Sequence, residues 1–294
     1  MPYVAPAPRN APRSTEGHPV ATPPNFFARM LEIDISDLDN FADGLHAIYE
    51  EKLHGVIIRN VYSKEFMAQV VQRLEAQEAH FPRVDFPERF KAHFLGRALD
   101  GSDTNEYFRD AAIFRESAKQ LFAGGTDYET RLGEVFGAMA GGRAVKVPVN
   151  DAGESYAPGT IRVLPEGGSI GTHCGNEAST RASYKHLNTL VDRNDQISFF
   201  VTLQAPEGGG ELEVYSLQFQ HIDKANFERG HTVTDHLIPL YEAKKYRPQA
   251  GDLLIFDGGR YFHQVLKVEG PKTRWTMGGF MMFSQDDSTL YYWS

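Results

Sequence analysis

The sequence predicts an α+β protein in which a helical N-terminal part precedes an antiparallel β-sandwich or barrel, and three observations carry that prediction. Apolar residues recur at helical spacing up to Gly142; short runs rich in β-branched and aromatic residues take over after it; and Gly, Pro and Asp separate those runs. Strands this short, closed by turn residues, suit a sandwich or barrel.

Along the chain, residues 1–25 are Pro- and Ala-rich, lack an apolar period and read as a mobile tail. Residues 26–294 read as a single domain, mainly helical over 26–142 and a β core over 143–294. In the first part, "ISDLDNFADGLHAIYEEKLHG" has helical periodicity, "GVIIRNV" is a short strand, and "SKEFMAQVVQRLEAQ" is a helix opened by an N-cap serine. Residues 106–123 and 127–140 supply two more amphipathic helices. In the second part, "AVKVPV", "GTIRVLPEGGSIGTHC", "QISFFVTL", "GELEVYSL", "GDLLIFDGGRYFHQVLKV" and "RWTMGGFMMF" are strands. The stretch 218–246 interrupts them, is long for a structureless connection, and is a candidate lid.

Composition excludes several function classes. A formal charge of −9 over 294 residues lacks the basic footprint of a nucleic-acid binder. Cys174 is the only cysteine, which rules out an intrachain disulfide and any thiolate-rich metal site, and fits a reducing cytoplasm. No apolar run is long enough to cross a bilayer, and nothing implies a protein partner. A local basic pocket for a small acid stays compatible with that charge.

The chemistry gathers around "GTHCGNE", residues 171–177. Oxygenases that hold non-haem iron with two histidines and a carboxylate often place the acid two residues after the first histidine, a spacing that keeps both on one face of an extended strand. Here that position is Gly175. Either His173 is no ligand, or a ligand has been deleted and something else binds there. His263 follows an Asp-Gly-Gly turn much later in the chain, and Arg274 and Thr276 then share one strand face. Two neutral imidazoles can hold a divalent iron, while a guanidinium further down the pocket grips a carboxylate through two parallel hydrogen bonds.

With those residues, "GGGELEVYSL", "GDLLIFDGGRYFHQ" and "RWT" resemble the iron(II)- and 2-oxoglutarate-dependent oxygenases. More narrowly, "TIRVLPEGGSIGTHCGNE", "HLNTLVDRNDQISFFVTL", "GGFMMFS" and "YYWS" resemble the freestanding halogenases that chlorinate hapalindole-type alkaloids, over most of residues 45–294. The resemblance implies a double-stranded β-helix (cupin-like jelly roll) core with flanking N-terminal helices. It also implies Fe(II), 2-oxoglutarate, chloride and O2 as cosubstrate, and a small-molecule substrate. By the same resemblance His173 and His263 are the metal ligands, Gly175 leaves a coordination site to chloride, and Arg274 with Thr276 holds the far carboxylate of 2-oxoglutarate. Ser198 matches a serine that steers the reaction toward chlorine transfer, and Asn176 is a candidate neighbour on the halide side. The expected reaction is removal of hydrogen from an unactivated carbon, followed by capture of chlorine by the substrate radical.

Plainer readings stand beside these. A strand histidine is commonly structural, Gly175 can serve a tight bend, and Arg274 can be a salt-bridge arginine. Arg162 positions the cosubstrate or pairs with an acid. Glu177 is a displaced ligand only if the chain bends, because an extended strand at about 3.3 Å per residue carries it out of reach. Glu211 and Glu213 would have to approach from another strand. Cys174, on the opposite strand face, reads as a core thiol, and Phe90, Phe94 and Ile113 line a substrate pocket or merely pack. The alternatives to a halogenase are an iron/2-oxoglutarate hydroxylase and a non-catalytic cupin-like binding protein.

Overall fold

The computed structural model describes residues 26–100, 103–192, 195–223, 227–228, 231–232 and 234–294. The tail 1–25 and part of the candidate lid at 218–246 lie outside the described residues.

Two sheets organise the chain. The larger has the strand order Met30–Asp34, Gly55–Arg59, Leu253–Phe256, Ile197–Gln204, Arg274–Phe283, Thr160–Leu164, His93–Leu95, Arg83–Asp85. Thr289–Trp293 pairs with the second half of Arg274–Phe283 and adds Ala144–Lys146 beyond it. The smaller sheet has the order Ala243–Tyr246, Leu212–Gln218, Tyr261–Val265, Ile170–His173. Phe200, Leu254 and Phe256 of the larger sheet pack with Leu212, Val214 and Tyr246 of the smaller one, so the two lie face to face as a jelly roll requires.

The strands of the larger sheet read as continuous apolar runs because both of their faces are covered. Phe199, Val201, Leu203, Leu253, Ile255 and Met277 point outward and join Val70, Leu74, Leu132 and Phe136 of the helices in the main core. The alternate positions Ser198, Phe200, Arg274, Thr276 and Arg162 face a cavity toward the smaller sheet. The period of two thus sorts each strand into a packing face and a face that carries chemistry.

The helices begin where the sequence supplies caps. Ser63 accepts a hydrogen bond from the Phe66 amide at 3.1 Å and opens Lys64–Gln77. Asp103 opens Thr104–Leu121, and Asp127 opens Tyr128–Met139. The region 26–142 also gives strands to the larger sheet, at Met30–Asp34, Arg83–Asp85 and His93–Leu95 besides Gly55–Arg59. Runs of three residues are too short to display a period. Within the stretch 218–246, Ala243–Tyr246 is a strand paired with Leu212–Tyr215, so that end of the candidate lid is part of the smaller sheet.

Phe136 is fully buried, with ring centroids 5.0 Å from Phe199 and 5.6 Å from Tyr292, and it ties the helical layer to the larger sheet. Phe136→Ala should cost about 3–5 kcal/mol of unfolding free energy through lost burial and the cavity left behind. A urea midpoint within error of the parent protein's would show that this contact does not hold the layers together.

Candidate active site

His173 ends the Ile170–His173 strand, and His263 lies directly opposite it on the antiparallel Tyr261–Val265 strand. That register sets the two rings 4.3 Å apart between centroids. Each Nδ1 is hydrogen-bonded to a carbonyl two residues earlier in its own strand, His173 to Gly171 O at 2.8 Å and His263 to Tyr261 O at 2.9 Å. A carbonyl only accepts, so each Nδ1 carries the proton and each Nε2 keeps a bare lone pair. Desolvation, together with the nearby Arg162 charge, lowers both imidazole pKa values, and for His263 the facing His173 ring lowers it further. Both rings are therefore neutral at neutral pH, the form that binds a metal.

The pair stands between two chambers and lines both. The inner one is walled by Arg162, Ser198, Phe200, Arg274 and Thr276 together with the two histidines. The outer one is walled by Gly175, Glu177, Gln196, Tyr184 and Phe280, with Asp100 and Arg181 forming an ion pair at its wall.

The inner chamber is cationic. Arg274 is 4 % exposed, donates from Nη1 to Thr276 Oγ1 at 3.3 Å and stacks over Phe200; among the described residues no carboxylate pairs with it. Burial, with the Arg162 charge added, brings its pKa down to about 9. Arg162 lies across from Thr276 in the strand pairing, its guanidinium between Phe94 and Phe280, and burial lowers it to about 10. Its Nη1 is out of solvent with no hydrogen-bond partner among the described residues, and the same holds for Ser198 Oγ. Buried cations without an acid are costly unless an anion joins them.

The outer chamber follows a change of direction. The extended conformation stops at Cys174, and Gly175 starts a 3₁₀ turn, Gly175–Thr180. Glu177 is thereby carried back to the wall of the histidine chamber, contrary to what continued extension predicts. The Gly175 amide donates to Gly258 O at 2.7 Å and the Asn176 amide to Gly259 O at 3.1 Å, which fastens this turn to the Asp-Gly-Gly turn before His263. A Cβ at Gly258 would overlap Ser198 Oγ, and one at Gly259 would overlap the Gln196 backbone, so both glycines are needed for close approach.

The structure brings His173, His263, Gly175, Ser198, Arg274, Thr276 and Arg162 to these two chambers. Asn176 is differently engaged: its Oδ1 accepts from the Gln196 amide at 3.2 Å and its Nδ2 donates to Asp195 at 3.1 Å. Cys174 is buried among Tyr215, Leu217 and Phe262, as strand parity predicts. Ile113 is 43 % exposed, and Phe90 packs with Ala92, Leu164 and Ile170 outside the chambers. Glu213 bonds Tyr215 and Gln264. Sequence reasoning missed Gln196 and the Asp100–Arg181 pair. The signal for Gln196 was its parity with Ser198, two residues on.

The residues present fit a metal and a dicarboxylate. The two imidazole rings lie 4.3 Å apart between centroids with each Nε2 lone pair bare, and the inner chamber carries positive charge that no acid among the described residues pairs; among those residues no group of three or more His, Cys, Asp or Glu side chains forms a complete metal cage.

Comparison with known proteins agrees. The model of the carrier-protein-independent halogenase WelO5 family matches residues 27–294. The chain belongs to that family. It is therefore an iron- and 2-oxoglutarate-dependent oxidoreductase, and the cofactor set of the family is Fe(II), 2-oxoglutarate, chloride and O2. Among solved structures, an N-substituted L-amino acid dioxygenase from Burkholderia ambifaria AMMD in complex with α-ketoglutarate is similar, with TM-score 0.54, 14 % identity, and 85 % of this chain and 90 % of that one covered. The epimerase SnoN of nogalamycin biosynthesis, in complex with Fe3+, α-ketoglutarate and nogalamycin RO, gives TM-score 0.53 and 13 % identity over 88 % of this chain and 87 % of that one. At these identities the likeness shows the shared jelly-roll fold. No curated protein matches the chain in sequence. Among the described residues no helix is long and apolar enough to cross a membrane.

Arg274→Met tests the unpaired cation. In the ligand-free protein, replacing a buried, acid-free guanidinium with an apolar chain of similar length should leave the melting temperature equal or higher. The stabilisation that 2-oxoglutarate gives the parent protein, about 2.7 kcal/mol at 100 times Kd and read as a rise in melting temperature, should be lost. An undiminished 2-oxoglutarate shift in the variant would remove Arg274 as the anchor.

Proposed function

We propose that this enzyme is a halogenase that chlorinates an unactivated aliphatic carbon of a freestanding small molecule. One observation carries the reading: beside the histidine pair, where a third protein ligand would be expected, the chain has Gly175, and the outer chamber opens there.

His173 and His263 hold iron through Nε2, kept in that tautomer by Gly171 O and Tyr261 O. Arg274 and Thr276 bind the distal carboxylate of 2-oxoglutarate, and Arg162 supplies the second positive charge of the inner chamber. Gly175 leaves room for a halide. When bound, the metal with 2-oxoglutarate and O2 supplies the oxidant that removes a hydrogen atom from substrate, and the halide supplies the group the substrate radical takes up. Ser198 lines the inner chamber with a hydroxyl that has no partner among the described residues, and it biases which group is delivered. The Asp100–Arg181 pair and Tyr184 border the side from which substrate approaches.

The competing reading is a hydroxylase in which Glu177 serves as a displaced ligand, favoured by its place on the outer wall. Anaerobic protein with Fe(II) and 2-oxoglutarate, titrated with chloride, separates the two without a known substrate. A halogenase changes its visible charge-transfer absorption as chloride binds, and a hydroxylase with a complete protein ligand set does not.

His173→Ala and His263→Ala should each abolish iron-dependent succinate formation, a greater loss than the about 10–100-fold typical of partners that only orient a ligand. Near-normal turnover in either would remove the site. Gly175→Asp should end chloride binding while iron and 2-oxoglutarate still bind, because the carboxylate competes for the open position. Its Cβ would lie 2.5 Å from Gln196 Nε2, so the Gln196 side chain must turn aside for it. An undiminished chloride response in Gly175→Asp would place the halide elsewhere.

A further inference from the structure

Gln196 has no part in the functions assigned so far, yet it is the least solvated polar side chain of the outer chamber. It is fully buried, it lines that chamber with His173, His263 and Gly175, and neither its Nε2 nor its Oε1 has a hydrogen-bond partner among the described residues. Buried amides are almost always paired, so one left open inside a cavity points to a ligand.

Its position is specific. Nε2 lies 2.5 Å from the point a Cβ on Gly175 would occupy, so the carboxamide stands where the first carbon of an aspartate side chain at that position would begin. The Gln196 backbone is held there by its amide hydrogen bond to Asn176 Oδ1, by Asn176 to Asp195, and by Asp195 to Arg260. Gly259 packs against that backbone without a side chain to push it away. The amide therefore sits on a fixed base, as a preorganised donor must.

We infer that the Gln196 carboxamide is the hydrogen-bond donor to the anion in the coordination site that Gly175 leaves open, and that it sets the affinity of that site for halide. The inference rests on the halogenase reading. A carboxamide offers two N–H donors at one end and an acceptor at the other. Among the described residues no group fixes which end faces the cavity, so the anion itself selects the NH2. The strand end then serves both chambers: Gln196 the halide in the outer one, and Ser198, two residues on, the inner one. Glycine supplies the space and glutamine the attraction.

The test is the anaerobic chloride titration of the Fe(II)- and 2-oxoglutarate-loaded protein, read as chloride Kd from the charge-transfer absorption, for the parent, Gln196→Leu, Gln196→Met and Gln196→Glu. Loss of a hydrogen bond to a charged partner should weaken chloride about tenfold or more in the Leu and Met variants, with iron and 2-oxoglutarate affinities unchanged. Gln196→Glu, which puts an anion in the donor's place, should abolish chloride binding. If the Leu variant does not fold, the Met variant, matched in length and without a donor, carries the comparison. Chloride affinity equal to the parent's in the folded apolar variants overturns the inference, as does a parallel loss of iron, 2-oxoglutarate and chloride, which marks a structural residue. A parent protein with no chloride response overturns the halogenase reading itself, an outcome distinct from either.

Discussion

Two guanidinium groups enclosed between β-sheets with no acid among the described residues to neutralise them set the terms for the rest of the structure. Burial lowers the pKa of both, and the Arg162 charge lowers that of Arg274 further, as a like charge in a poorly solvated space must. Folding tolerates this because the register of Arg274–Phe283 against Thr160–Leu164 fixes Arg162 opposite Thr276, and because the helical layer secures the other face of the same strands. The stability invested in the helical core is what allows the inner face to remain electrostatically unfinished until a dianion arrives.

The histidine pair gains its meaning from the boundary it forms. On one side the wall is cationic; on the other it is a glycine, an uncharged amide and the rim residues. A metal held by the pair would have the cationic chamber on one side, suited to an organic dianion, and the glycine-lined chamber on the other. The hydrogen bonds to Gly171 O and Tyr261 O belong to the strands themselves, so ring orientation is set by backbone and does not depend on a mobile side chain.

Much of this was legible in the sequence for a simple reason: the decisive relations are local in the strand. Arg274 and Thr276 share a face by parity, and the Asp-Gly-Gly turn before His263 marks a close approach of backbones. An antiparallel sandwich or barrel followed from short strands and their punctuation, and the jelly roll from the family resemblance. What could not be read is non-local. Strands of three residues at Arg83–Asp85 and His93–Leu95 carry no period, and Ala243–Tyr246 is a strand because Leu212–Tyr215 offers it an edge. The turn at Gly175, which returns Glu177 to the chamber, depends on hydrogen bonds to Gly258 and Gly259, far away in the chain. Parity with Ser198 could point to Gln196, but that its amide lacks a partner among the described residues is a property of three-dimensional surroundings.

The contact between the open face of Gly175 and the Gln196 amide also bears on how such a site can change over generations. The two positions occupy one volume, so their substitutions are epistatic: an acid introduced at 175 meets the amide, and a smaller residue at 196 alone leaves an unfilled hollow beside the metal position. Each single step passes through a poorer packing, and the adaptive landscape between an exchangeable ligand and a built-in one is a ridge with a dip rather than a slope. Steric exclusion over a few ångströms thus acts as a ratchet, holding a lineage to the ligand chemistry it already has.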